Sequence, residues 1–218
     1  MSDTYFYETA RGHGLPHDPF KAIVAPRPIG WISTCDGQGR GNLAPYSFFN
    51  AFSDAPPIVA FASSGYKDSI RNIEATGEFV ANLAVRALAE KMSRSSASFP
   101  HGEDEMVAVG LTPAPCRLVR PARVSESPAA LECRLLKILR LDDLAGTPTD
   151  TYVAFGQVVA VHIDPAFLRD GLFDTGSARP VLRAGYLADY VGVEPDTIFR
   201  MRRPRNVDEA LAGDKTKT

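Results

Sequence analysis

The stretch "PRPIGWISTCDGQGRGNLAPYSFF", residues 26–49, holds two runs of β character around a turn marked by Gly37, Gly39 and Gly41. "GQGRG" is neither a Gly-x-Gly-x-x-Gly fingerprint nor a Walker motif, and no helical pattern follows it, so it reads as a hairpin turn. Trp31, Ser33 and Thr34 leave the first run, while Asn42, Tyr46 and Ser47 follow the turn. Antiparallel pairing would gather hydroxyls and an amide near an aromatic ring. Such a patch suits a flat heteroaromatic ligand, although serine and threonine at strand ends also serve as local caps.

Working outward, "FKAIVAPRPIGWIST" reads as two short strands broken at prolines, because proline cannot donate to a ladder. "PPIVAFASS" (56–64) is a continuous apolar strand of the buried kind. "DSIRNIEATG" then predicts a helix with Asp68 or Ser69 as N-cap, Ile70 and Ile73 on one face, and Gly77 as its left-handed stop. "EFVANLAV" reads as a strand and "RALAEKM" as a second helix. "ALECRLLKILRL" (130–141) fits a helix and a strand equally well. "TYVAFGQVVAVHI" alternates at two-residue steps through Val153, Phe155, Val159, Val161 and Ile163 and is the plainest strand in the chain. Strands in succession with few helices between them predict a mainly β protein, a β-barrel or sandwich with peripheral helices.

The chain has 218 residues, 44% hydrophobic and 23% charged, enough for one sizeable core. Residues 1–19 read as an N-terminal arm, 20–200 as the domain and 201–218 as a peripheral C-terminal tail. A formal net charge of -2 offers no global field for a polyanion, so no nucleic-acid partner is expected. The longest apolar run, Pro57 to Ala62, is too short to cross a bilayer, and the start of the chain has no signal-peptide core. The expectation is a soluble, cytoplasmic protein. Three widely spaced cysteines, Cys35, Cys116 and Cys133, predict thiols without a disulfide framework or a Cys-x-x-Cys metal pair.

"SSGYKDSIR" (63–71) is the candidate anion site. A Ser/Gly loop leaves backbone N–H groups accessible, and Lys67 with Ser69 stands at the first turn of a helix whose N-terminus carries partial positive charge. Asp68 opposes an anion unless its carboxylate turns away, and an ordinary capped surface helix is the competing reading.

Together, "PRPIGWIST", "NLAPYSFF", "PPIVAFA", "KDSIRNI" and "GEFVANLA" resemble the flavin reductase-like family of FMN-binding split barrels, a group that includes flavoredoxin and reductase components of two-component monooxygenases. The similarity continues more weakly through "LTPAP", "ALECRL" and "FGQVVAVHID" to "LRAGYLADY". The resemblance implies a six-stranded split barrel of Greek-key type, a homodimer, and one FMN per subunit near the dimer interface. It also assigns the ambiguous 130–141 segment to a strand. Carried onto this chain, the pattern puts Trp31, Ser33 and Thr34 beside the flavin. Asn42, Ala44, Tyr46 and Ser47 then follow the ring and ribityl chain, and Lys67 with Ser69 meets the phosphate. Serine replaces the usual threonine at Ser69, and tyrosine a frequent phenylalanine at Tyr46, whose phenol then has only a packing role.

In this reading NADH or NADPH is the electron donor, and free flavin, a monooxygenase or another electron-accepting protein is the acceptor. Flavin carries the reaction itself, so no protein nucleophile or acid is needed. His13, His17, His101 and His162 accordingly show neither triad-like nor metal-like spacing. His162 reads as structural, and His101 lies in an irregular segment that could cover a flavin face. Two other readings stay open: an electron carrier loaded by a protein donor, and a non-enzymatic FMN-binding module.

Overall fold

The computed structural model describes residues 4–211. The outer ends of the expected arm and tail, 1–3 and 212–218, lie outside the described residues. Seven strands form the main sheet: β1 (Gly30–Cys35), β2 (Gly41–Tyr46), β3 (Phe49–Asp54), β4 (Pro57–Ser64), β5 (Glu78–Leu83), β6 (Ala129–Asp142) and β7 (Pro148–Ile163). Their order is β2-β1-β5-β6-β7-β4-β3, and every pairing is antiparallel.

The two edge strands of this sheet, β2 and β3, are consecutive in the chain, with only Ser47 and Phe48 between them. The sheet therefore curls until its edges approach. Ala62 N–H donates to Phe48 O at 2.8 Å, and the Tyr46 ring centroid lies 4.5 Å from that of Phe61. This is the split-barrel arrangement, with one hydrogen-bonded strand more than the six implied by the resemblance.

The hairpin β1–β2 is held by its turn. Asp36 accepts backbone N–H bonds from Gln38 and Arg40, both at 2.9 Å, and pairs with the Arg40 guanidinium. Cross-strand register sets Thr34 opposite Asn42 and Ile32 opposite Ala44. Alternation along β1 then divides the interior into two cores. Ile32 joins Tyr46, Phe61, Ile70, Ile73 and Phe79 inside the barrel, whereas Trp31 joins Leu43, Leu88, Met92, Met106 and Val181 in a second core outside it. A short helix, α2 (Ala89–Arg94), contributes Met92 to this second core.

The expected helix is present as α1 (Asp68–Thr76), with Ile70 and Ile73 buried and Gly77 closing it at φ 71. Its N-cap is Lys67 rather than Asp68 or Ser69, and Asp68 is the first helical residue. The segment 130–141 is strand β6, as the resemblance implies.

Two local expectations change. Residues Phe20–Ile23 form one helical turn instead of a strand, because Pro19 sits in the helical region and its carbonyl accepts from Ala22 and Ile23 N–H. The "RALAEKM" helix starts as a 3-10 turn, Arg86–Leu88, before α2.

Strand β7 is where expected, but its branched face is not the inward one. Ala154 and Val158 face the barrel core, while Val161 is 56% exposed and Phe155 meets Phe52 edge-on. Small residues are needed inside because two large rings already fill the space: a Cβ on Gly156 would lie 2.3 Å from Phe79 Cε1. That is well inside van der Waals contact, so the ring's burial depends on the missing side chain.

Strand β6 also carries Glu132, fully buried, whose carboxylate accepts N–H bonds from Arg117 (2.8 Å), Leu118 (2.7 Å) and Val119 (3.1 Å). His162 Nε2 on β7 completes the set at 2.5 Å. This staples the 117–119 loop to the sheet and gives His162 the structural place read from the sequence. All three cysteines are free thiols, and burial pushes Cys116 up to about 11. No described helix is long and apolar enough to cross a membrane.

Candidate functional site

The inner edge of β2 and the start of α1 meet in a cleft of about 330 Å³. Asn42, Ala44, Pro45 and Tyr46 form one wall, Lys67, Asp68 and Ser69 one end, and the run Ser95 to Phe99 with Glu105 the opposite wall. Five of the nine residues singled out from the sequence therefore line one cleft: Asn42, Ala44, Tyr46, Lys67 and Ser69.

A buried polar chain stiffens this wall. Asn42 Nδ2 donates to Ser69 Oγ at 2.9 Å and to Thr34 Oγ1 at 3.2 Å, and Asn72 Nδ2 reaches the same Thr34 oxygen at 3.1 Å. Thr34 is thus buried behind the wall and acts through Asn42. The Tyr46 hydroxyl faces Ser69 and Ser63, and burial pushes its pKa up. The ring packs in the barrel core against Phe61, in keeping with a packing role.

Trp31 and Ser33 do not line the cleft. The Trp31 indole is fully buried in the second core and donates from Nε1 to Ser95 Oγ at 3.0 Å, so it fixes the first residue of the opposite wall. Ser33 Oγ donates to Ala122 O at 2.6 Å and receives Asn82 Nδ2 at 3.3 Å. Ser47 lies farther along, in a recess of about 220 Å³ with Ile29, Pro45, Met92, Ser96, Arg183 and Tyr190. Pro45 and Ser96 line both spaces, which makes them neighbouring parts of one groove.

The charges at the Lys67 end are unequally engaged. Asp68 pairs with the Arg71 guanidinium and with His101 Nδ1 at 3.0 Å. Glu105 accepts from Leu43 N–H at 2.7 Å, and burial raises its pKa above the ordinary carboxylate range. Lys67 has no ion pair among the described residues. It stands at the start of a nine-residue helix whose first N–H groups have no intrahelical acceptor. A free cation and free N–H groups at one end of a cleft suit a dianion.

The opposite wall escaped the sequence reading, although "SRSSASF", a cluster of hydroxyls after a helix, was a visible signal. His101 does not line the main cleft. It sits by Asp68 in a small side pocket with Arg40 and Asn72.

A family model described as "Flavin reductase like domain" matches residues 24–181. An uncharacterised protein of Aquifex aeolicus is 33% identical over 169 residues, which cover 75% of this chain and 83% of that protein. Among solved structures, 2-nitrobenzoate 2-nitroreductase of Pseudomonas fluorescens is similar with a TM-score of 0.75 at 26% identity, over 85% of this chain and 89% of that one. Nitrilotriacetate monooxygenase component B from Bacillus cereus gives a TM-score of 0.79 at 24% identity, over 92% and 100% of the two chains.

Proposed function

The chain belongs to the flavin reductase-like family, and from that premise we propose that it is an FMN-binding oxidoreductase. It takes electrons from NADH or NADPH and delivers them to free flavin or to a partner protein such as a monooxygenase. The observation that supports this reading is the cleft where Asn42, Ala44 and Tyr46 meet Lys67 and Ser69.

The donor set fits FMN. Lys67, Ser69 and the α1 N-terminus offer a cation, a hydroxyl and backbone N–H groups to a phosphate. Two carboxylates nearby do not cancel this, because Asp68 is paired with Arg71 and Glu105 is engaged by the Leu43 N–H. Ala44, Pro45 and Phe99 provide flat apolar surface for a ring system, and Asn42 is held by its bonds to Thr34 and Ser69. No side chain in the cleft is arranged to bond the flavin covalently, so denaturation should release it. When bound, FMN supplies a two-electron centre that can accept hydride from a reduced nicotinamide. The chain's own part is to orient the ring, neutralise the phosphate and keep water from one face.

Anaerobic addition of NADH or NADPH to the FMN-loaded protein should bleach the flavin absorbance, at a rate that identifies the preferred donor. A protein that stays oxidised with both, yet is reduced by a protein donor, would overturn the reductase reading in favour of an electron carrier.

We further infer a homodimer. Phe48 and Phe52 are 42% and 61% exposed beside the β2–β3 edge, and Leu136 on the projecting part of β6 is 53% exposed. Apolar side chains left in water at a sheet edge call for a cover. Light scattering at micromolar concentration should give twice 23.6 kDa, and a monomeric mass with FMN bound would refute the dimer.

A further inference from the structure

The groove has a second, differently charged end. Beyond Pro45 and Ser96 it opens past Ser47 into the recess bearing Arg183 and Tyr190, and past Ser47 again into a larger apolar trough that Arg27 lines. Neither space is lined by an aspartate or glutamate, in contrast to the Lys67 end with Asp68 and Glu105.

Arg27 and Arg183 are directly opposite each other on two paired short strands, Arg27–Pro28 and Val181–Arg183. Like charges in that register repel, and neither arginine has an ion pair among the described residues. Arg27 is only 7% exposed. Its terminal nitrogens bond the carbonyls of Lys21, Val24 and Ala184, but its Nε is buried with no partner. The Arg183 guanidinium lies 4.7 Å from the centroid of the Tyr190 ring and donates to the carbonyls of Tyr186 and Leu187. Stacking and two carbonyls fix its plane while leaving its charge uncompensated. Arg183 in the recess, with the buried and unpaired charge of Arg27 behind it, leaves a local excess of positive charge that an anionic ligand would complete.

We propose that Arg183, backed by Arg27, forms a subsite for the diphosphate of the dinucleotide electron donor at the Ser47 end of the groove. The proposal rests on the reading of the neighbouring cleft as the flavin site. It separates two anion positions: Lys67 holds the phosphate of the resident cofactor, and Arg183 recognises the molecule that arrives and leaves.

The test uses FMN-loaded protein, so that the Lys67 end is filled, and the variants Arg183→Ala and Arg183→Lys. Inorganic pyrophosphate, titrated calorimetrically, should bind the parent and bind Arg183→Ala about tenfold more weakly or worse. The KM for NADH should rise by about the same factor, while reduction by the uncharged donor 1-benzyl-1,4-dihydronicotinamide stays within about twofold of the parent. Arg183→Lys should recover only part of the loss, because a point charge does not replace the planar fork. FMN affinity and the thermal midpoint, unchanged in both variants, exclude a folding defect. Equal pyrophosphate binding by parent and Arg183→Ala, or equal impairment with charged and uncharged donors, would overturn the subsite. Pyrophosphate binding that depends on Arg183 in a parent that neither donor reduces supports the subsite and sinks the oxidoreductase reading instead.

Discussion

Lys67→Ala is expected to weaken FMN binding by roughly ten- to a hundredfold and to leave riboflavin binding as it is in the parent. The side chain has no carboxylate partner to release, and its stem runs over Gly65, within 3.7 Å of where a Cβ would stand there, so little of the fold leans on it. What the substitution removes is therefore charge. Riboflavin lacks the phosphate and serves as the internal control. Ser69→Ala should fall toward the lower end for FMN, and it should also affect riboflavin slightly, because Ser69 Oγ anchors Asn42. The preference of the parent for FMN should shrink with rising ionic strength, as screening acts on the charged ligand alone. Equal loss of both flavins in Lys67→Ala would mean that the phosphate is bound elsewhere. Arg71 would be the next residue to try, although it is already engaged with Asp68 and Tyr66.

Glu132→Ala should destabilise the protein by about 3–5 kcal/mol, which in a chain of this size lowers the thermal midpoint by roughly 6–20 °C. The variant leaves three backbone N–H groups and the His162 imidazole without their common acceptor. The same carboxylate makes stability depend on pH. Burial pushes its pKa up, but the Arg117 N–H, the His162 side chain and the Leu118 N–H outweigh this, and the net direction is down. A carboxylate depressed in the folded state contributes stability above its unfolded value, about 4.3, and that contribution is lost as pH falls through the lower folded value. Chemical denaturation at pH 7 and at successively lower pH should therefore show the gap between parent and Glu132→Gln closing below about pH 4. A gap that stays constant through that range would show that the carboxylate is not held ionised by the loop.

What was legible in the sequence was local. The β1–β2 hairpin, the helix ending at Gly77 and the strand around Val153 to Ile163 each carry their signal within a few residues, in turn glycines or a two-residue period. Periodicity locates a strand without saying which face is the core, and in β7 the small residues face inward because Phe61 and Phe79 come from other strands. The Phe20–Ile23 turn departs from the expected strand because proline, which breaks a strand ladder, is equally suited to the start of a helix, as at Pro19. One cleft wall was readable, since Asn42, Ala44 and Tyr46 alternate on a single strand. The other wall, Ser95 to Phe99 with Glu105, comes from a segment far along the chain and is placed by a contact with Trp31 that no spacing rule describes.

That contact has an optical consequence. Trp31 is the chain's single tryptophan, sealed from water and one hydrogen bond behind the wall of the cleft. The long-wavelength intrinsic fluorescence thus has one emitter, in one dry environment, next to the place where a yellow chromophore is proposed to sit. Its quenching on titration with flavin and its red shift on unfolding give two separate readouts from the same unlabelled protein, one for occupancy and one for integrity.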